Sequence, residues 1–358
     1  KDIFFAKARN YPSALVASLD PDNVPQSVYD SLIAAVRQAL PDMHRLVRLK
    51  KEILGVDEMH MYDLYVPMAT QVDMKIPYGK ACDIVCEGLA PLGAQYIDTM
   101  RRGIREGGWA DVYENQGKTS GAYSWGVWGT HPYVLLNWND TLDNLLTLAH
   151  ELGHAMHSHL SDTAQPYAKS QYPLLLAEVA STCNEAILMD YMLGRTQDAD
   201  GRRYLLGYFL EQFRTTMFRQ VMFAEFEKII HARVEEGEAL TPETLRDIYR
   251  GLNVDYYGPD MVVDEAVDME WARIPHFYRS FYVYKYATGF ASAIYLSRMV
   301  LKGGDAERER YISFLRGGGS DYPLHLLRRA GVDLTQPETV SDALRTFAAT
   351  IDEMEELV

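Results

Sequence analysis

Cysteine is scarce in this sequence: three among 358 residues, at positions 82, 86 and 183. An odd and sparse set builds no disulfide framework, so the expected setting is a reducing compartment, the cytoplasm. Cys82 and Cys86 stand four apart in ACDIVCEG, on one helix face, but no second Cys or His pair lies near them in sequence. They read as buried thiols. Long apolar runs are missing too. Nothing approaches the ~20 residues that span a bilayer, which excludes a membrane partner of that kind. Positive charge is also short, with 35 Lys and Arg against 50 Asp and Glu and a net charge of −15. Phosphate-backbone binding needs clustered cations, so nucleic acid is excluded as a partner. No internal repeat and no low-complexity tract appears.

What remains is a mainly α-helical pattern in three textures. Residues 1–106 read as a helical segment, with VYDSLIAAVRQAL and MHRLVRLKKEIL carrying apolar residues at three- and four-residue spacing and Pro41 between them. Residues 107–195 begin rich in Gly, Trp, Tyr and Asn. Two β-like runs, GAYSWGVW and PYVLLNW, flank a Gly-Thr-His turn, which predicts a small twisted sheet with one exposed edge. Helical periodicity resumes at Thr141. Residues 196–358 read as helical throughout; RRYLLGYFLEQFRTTMFRQVMFAEFEKIIHARVEEG is expected as one long amphipathic helix, and Thr241-Pro242 opens another. The Gly-rich stretch at 317–319 reads as a hinge or as a plain connector.

The chemistry concentrates in HELGHAMHSH, residues 150–159. Asn139, Asp140 and Thr141 offer an N-cap, and Leu142, Leu145, Leu146, Ala149, Leu152 and Met156 form one apolar stripe. His150 and His154 are one turn apart, close enough for two imidazoles to reach one Zn²⁺. Glu151 lies about 100° round the helix, placed less as a ligand than as general base toward a water activated by the metal. Gly153 costs about 1 kcal/mol in a helix interior, which points to a close backbone approach there. A metzincin pattern requires Gly at 157 and His at 160; His157 and Leu160 exclude that class. His157 and His159 are expected to be polar residues or supports for the ligands rather than ligands.

A third ligand has to come from elsewhere. The following helix, YPLLLAEVASTCNEAILMDYML, offers Glu178, Glu185 and Asp190. Glu178 interrupts the apolar run LLLAEVA, where a carboxylate is costly unless paired or bound to a cation. Glu185, two turns on, could hold a ligand histidine in place. Spacing favours Glu178 as the ligand without deciding it.

HELGHAMH, followed 24 residues after His154 by the Glu of AEVASTCNE, resembles the thimet-oligopeptidase clan of zinc metallopeptidases, in particular its oligoendopeptidase F branch. HMYDLYVPM, KTSGAYSWG, PYVLLNWN, FRQVMFAEFE, IPHFYRSFYVYKYATG and FLRGGGSDYP are similar to that branch along nearly the whole chain. The resemblance implies one Zn²⁺ per chain with Glu178 as third ligand. It also implies a zincin-like core with a small sheet beside the His-Glu-x-x-His helix, in a large helical channel-forming fold. The activity implied is endopeptidase action on short unfolded peptides, and the family's N-terminal helical domain, which forms the opposite channel wall, is absent from this chain.

The run IPHFYRSFYVYKYATG reads on its own as packing surface, although a Tyr hydroxyl is a neutral donor suited to an oxyanion. The resemblance singles out His276 and Tyr284, then Tyr282, as donors to the oxyanion or the substrate backbone. By the same likeness Gly121, Ala122 and Tyr123 lie along a strand edge to which an extended peptide adds. Two other readings stay open: a zinc exopeptidase (dipeptidyl carboxypeptidase or carboxypeptidase), and an inactive peptide-binding fragment that lacks its N-terminal part.

Overall fold

The structure, a computed structural model, describes residues 1–69 and 75–358; residues 70–74 of the first helical segment lie outside the described residues. Among the described residues the fold is mainly helical with two small sheets. The chain packs as two units, one formed by Lys1–Gln71, Asp198–Thr288 and Leu334–Val358, the other by Val72–Gln197 and Gly289–Asp333. The three textures of the sequence are therefore shared between two packing units. Among the described residues, no helix is long and apolar enough to cross a membrane.

In the first unit Gln26–Gln38, Leu40–Leu54, Pro242–Tyr257 and Glu338–Glu355 are amphipathic, whereas Arg219–Glu235, expected to be so, shows no clear apolar face. The helix Gln26–Gln38 buries Val28, Tyr29, Leu32, Ile33 and Val36, the i, i+3, i+4 spacing read from sequence. Its partner in sequence, Leu40–Leu54, takes Pro41 in its first turn and ends on Gly55 at φ +65°. Two short strands, β1 (Met59–His60) and β5 (Met261–Val262), pair in parallel. The long helix expected over 202–237 is interrupted. Helices Ala199–Gln212 and Arg219–Glu235 are joined by a π-helical stretch, Phe213–Phe218. The extra residue per turn changes which side chains face inward. Phe213, Met217 and Phe218 all become buried there, and Phe209, Phe213, Phe218 and Phe347 form a ladder with centroids 4.8 to 5.4 Å apart.

One carboxyl lies deep in this unit. Glu227, on Arg219–Glu235, is 1% exposed. Burial pushes its pKa up to about 8, against the opposing hydrogen bond from the Phe281 N–H.

The second unit contains the three-stranded sheet and the histidine-rich helix. β2 (Ala110–Asp111) runs parallel to β4 (Tyr133–Leu135), and β3 (Tyr123–Trp125) runs antiparallel to β4, so β3 closes one side of the sheet. Along β3, Tyr123 and Trp125 are exposed while Ser124 turns inward, the strand alternation expected of a half-covered edge. The helix Leu142–Ala164 starts where the sequence indicates: Thr141 is the N-cap, its hydroxyl accepting from the Asn144 N–H at 3.2 Å. Leu145, Leu146, Ala149, Leu152 and Met156 are fully buried, each large side chain contributing about 1.5–3 kcal/mol before entropy is counted. The cysteines are buried and unpaired.

A pH dependence follows from Glu227. Its folded pKa lies above the unfolded value, so between about pH 4.5 and 8 the unfolded chain binds fewer protons, and stability falls as pH rises through that window. Glu227→Gln removes this contribution. In denaturant titrations at pH 5 and pH 8.5, the stability difference between variant and parent is expected to move in the variant's favour by more than about 1 kcal/mol. No change in that difference would show the carboxyl to be ionised throughout.

Candidate active site

The helices Leu142–Ala164 and Leu174–Arg195 pack face to face, and glycine sets how closely. A Cβ on Gly153 would sit 2.5 Å from the Ser181 Cα and 2.7 Å from the Ala180 carbonyl oxygen. Only a residue without a side chain lets the two backbones meet there. A buried polar link reinforces the contact: Asn184 Nδ2 donates to the Ala149 carbonyl at 3.1 Å, and the Tyr96 hydroxyl donates to Asn184 Oδ1 at 3.2 Å.

This approach brings His150 and His154 of one helix against Glu178 of the other. The two Nε2 atoms are 3.2 Å apart, and each lies 3.4 Å from Glu178 Oε2. Tetrahedral coordination with bonds of about 2.0–2.1 Å places ligand atoms about 3.3–3.4 Å from one another. The triangle therefore has the dimensions of one face of a zinc tetrahedron, and two imidazoles with a carboxylate are donors that suit zinc. These three residues form the group among the described residues that could hold a metal ion.

The surroundings favour positive charge at that point. Burial lowers the His150 pKa, but the hydrogen bond to Glu185 and the fields of Glu185, Glu178 and Glu151 outweigh it and lift the pKa to about 9. Burial raises that of Glu178, yet the His154 hydrogen bond and the two imidazoles bring it down to about 2. Ser181 Oγ also donates to Glu178 Oε2 at 3.1 Å. The carboxylates thus stabilise a cation among the imidazoles, the charge a divalent metal supplies.

Glu185 reaches His150 from the other side, its Oε1 bonded to Nδ1. That bond leaves Nε2 facing Glu178 and fixes the ring's orientation. Glu151 is 6% exposed, and its Oε2 is buried with no hydrogen-bond partner among the described residues. Burial raises its pKa, opposed by the two histidines. A carboxyl with an unengaged oxygen and a raised pKa is suited to accepting and releasing a proton.

The two other histidines of the helix behave differently. His157 is 1% exposed, lies flat on Tyr172 with centroids 3.7 Å apart, and has both ring nitrogens unbonded among the described residues. Burial drives its pKa down to about 3, so it is a neutral packing ring. His159 is partly exposed and tilts against Trp109 at 5.4 Å.

β3 is seated on the same helix. A Cβ on Gly126 would fall 2.4 Å from that of Ser158, so the end of the strand rests directly on the helix. Gly121, at φ +85°, opens the approach to β3, and its carbonyl accepts from Asn137 Nδ2 at 2.8 Å. Ala122 is partly exposed and Tyr123 exposed. The Gly-rich loop is tightly packed: the Gly319 N–H donates to the Lys169 carbonyl at 2.7 Å, and a Cβ on Gly318 would meet Ser161 Oγ at 2.4 Å.

The aromatic run lies in the other unit. His276, Tyr282 and Tyr286 cluster: His276 stacks on Tyr282 at 6.0 Å, Tyr286 meets Tyr282 edge-on at 5.4 Å, and its hydroxyl lies 3.4 Å from His276 Nε2. Tyr284 does not join them. It is 1% exposed, its ring packs 5.1 Å from Tyr29, and its hydroxyl is buried with no partner among the described residues. Of the residues expected as donors, the structure brings His276 and Tyr282 together and leaves Tyr284 apart, while Tyr286, which was not singled out, lies beside His276. The reason is local. Phe281 adopts φ +57°, and a helix begins at Tyr284, so the two-residue alternation of the tyrosines does not continue as a strand. Such a backbone costs a bulky residue about 1–3 kcal/mol unless its surroundings enforce it.

A mainly helical fold with small sheets and a His150, His154 and Glu178 cluster able to hold a metal ion is a zincin-like arrangement. The model of Peptidase family M3 matches residues 1–346. The chain is 48% identical over 358 residues to Oligopeptidase PepF of Bacillus subtilis, covering 100% of this chain and 53% of that protein. It is 43% identical over 355 residues to Group B oligopeptidase PepB of Streptococcus agalactiae, covering 99% and 59%. The crystal structure of oligoendopeptidase-F from Enterococcus faecium superposes with a TM-score of 0.80 at 37% identity, covering 99% of this chain and 57% of that one. The chain belongs to Peptidase family M3, in its oligoendopeptidase F branch. It spans little more than half the length of the curated relatives it matches.

Substitutions at two positions test this arrangement. Gly153→Ala replaces a helix-breaking residue with the best helix former, yet is expected to destabilise by about 1–3 kcal/mol through overpacking, read as a lowered denaturation midpoint. A gain in stability would mean that the helices separate freely. Glu185→Ala is expected to weaken zinc binding about 10–100-fold in a chelator competition, whereas Glu185→Gln, which keeps an acceptor for Nδ1, loses less. Equal affinities for all three proteins would remove Glu185 from the support of His150.

Proposed function

We propose that this chain carries the catalytic centre of a zinc-dependent oligopeptidase that hydrolyses internal bonds of short, unfolded peptides. The observation that carries the reading is the triangle of His150 Nε2, His154 Nε2 and Glu178 Oε2, with sides of 3.2, 3.4 and 3.4 Å. Bound there, zinc supplies Lewis acidity, polarising a carbonyl and acidifying water. His150, His154 and Glu178 would hold it, and Glu185, bonded to His150 Nδ1, would keep Nε2 free for it.

Glu151 is the base. Its unengaged Oε2 takes the proton of the attacking water, and its raised pKa keeps that proton available for the leaving amine. His276 and Tyr282, which the resemblance to the family singles out, are assigned as donors to the developing oxyanion or the substrate backbone, and Tyr286 is added to them only because its hydroxyl lies 3.4 Å from His276 Nε2. Tyr284 is left out because its hydroxyl is buried in a core.

Substrate binding is assigned to the β3 side of the sheet, with Gly121, Ala122 and Tyr123 at its approach. A peptide added there pairs through its backbone, which is nearly blind to sequence and demands an extended, unfolded segment. The names of the relatives, oligopeptidase and oligoendopeptidase, fit this substrate class. The three buried free cysteines agree with a cytoplasmic setting.

Mass spectrometry of products from a mixed peptide set, with metal content measured in parallel, tests the reading. One zinc per chain and cleavage at internal bonds are expected, and Glu151→Gln should lower kcat by about 10²–10⁴-fold with zinc retained. Cleavage confined to chain ends favours an exopeptidase. Zinc binding without turnover, restored by adding the N-terminal region of a relative, favours a fragment that needs that region. An undiminished rate for Glu151→Gln would falsify the assignment of the base.

A further inference from the structure

The cluster of His276, Tyr282 and Tyr286 depends on a backbone conformation that its own residues do not favour. Four non-glycine residues among those described have positive φ: Asn10, Asn23, Asp140 and Phe281. Asn and Asp tolerate the left-handed region; a phenylalanine does not, unless it is held. Phe281 is held twice. Its ring is buried, edge-on to Tyr29 at 6.0 Å and 4.6 Å from the His231 ring. Its N–H donates to Glu227 Oε1 at 2.9 Å, a contact between residues 54 apart in sequence.

The acceptor is unusual. Glu227 is buried on the helix Arg219–Glu235, and its second oxygen has no partner among the described residues. A buried carboxyl is costly, and a packing role alone is served better by an apolar residue of similar volume. What Glu227 supplies that Leu or Met cannot is an oxygen at the one N–H that turns the chain left-handed. The flanking contacts hold the same knuckle: Ser280 Oγ donates to Asp2 Oδ2 at 2.6 Å, and the Arg279 guanidinium lies 4.8 Å over the Tyr282 ring. One residue beyond Phe281, Tyr282 stacks on His276.

We propose that Glu227 is a positioning residue for the peptidase reaction: its buried carboxyl fixes the left-handed turn at Phe281 and so sets Tyr282 against His276 and Tyr286. The inference rests on the reading of those three side chains as donors in catalysis. Glu227 touches neither substrate nor metal and acts through the loop. Geometry, not charge, is the requirement, so an acceptor at the right reach suffices.

The enzyme is assayed as Glu227→Gln, Glu227→Asp and Glu227→Leu, with Tyr286→Phe and His276→Ala beside them. Three readouts are taken: kcat and KM separately, zinc content, and the rate at which diethyl pyrocarbonate modifies His276, followed by mass spectrometry. Gln keeps an oxygen at the same reach and is expected to stay within about threefold of the parent. Asp keeps the acid but withdraws it by one methylene, and Leu removes it. Both are expected to lose at least about tenfold in kcat, with KM within about threefold and zinc unchanged, and His276 modification should change at least about threefold. The ranking Gln above Asp separates positioning from a need for charge and remains readable if the Leu variant does not fold. Asp and Leu variants with parental kcat and parental labelling overturn the proposal. Altered His276 labelling in the Asp and Leu variants, together with parental kcat in Tyr286→Phe and in His276→Ala, also overturns it, by removing the donor reading beneath it while leaving the clamp itself demonstrated.

Discussion

Everything at the site of His150, His154 and Glu178 depends on how closely two helices approach at Gly153. The His-Glu-x-x-His spacing places two imidazoles on one face, but it cannot supply the carboxylate that completes the triad. Glu178 arrives only because the helix Leu174–Arg195 meets Gly153 at backbone contact through its Ala180 and Ser181. The same approach carries Glu178 to within 3.4 Å of the Nε2 atoms of His150 and His154, and Glu185 to the far side of His150. Carboxylates in such a packed setting are expensive to bury alone. Here each is matched by an imidazole, and the grouping as a whole stabilises positive charge.

Much of this site was readable from the sequence because helix periodicity is a strong constraint. Four-residue spacing puts His150 and His154 side by side in any α-helix, and a capped N-terminus at Thr141 leaves little doubt that one forms. Glu178 was visible for a different reason: a carboxylate inside LLLAEVA needs a partner. The two β-runs were legible from alternation and the turn between them, and they pair as β3 and β4. The short parallel strand β2 was not foreseen, since two residues carry no periodicity.

What the sequence concealed depends on tertiary contacts. The run Tyr282, Tyr284, Tyr286 looks equivalent to any local rule. Which of them faces His276 is decided by a left-handed Phe281 and a helix starting two residues after Tyr282, and that phenylalanine is held by Glu227 from another helix. The π-helical stretch Phe213–Phe218 was equally hidden, because an apolar stripe shifts there by one residue without any Gly or Pro to mark it. His157 looked polar by type, yet lies against Tyr172 as an apolar plate.

The contact between Gly126 and Ser158 links two features that are otherwise described apart. β3 has no side chain to lift its end off the histidine-bearing helix, so the outer edge of the sheet rides on the same rod that presents His150 and His154. On the reading of β3 as a bed for extended peptides, the elevation of a bound backbone above the ligand nitrogens is gauged by one missing methyl group. Selectivity for peptide shape over peptide spelling is then a matter of levelling, established by the floor on which the strand stands.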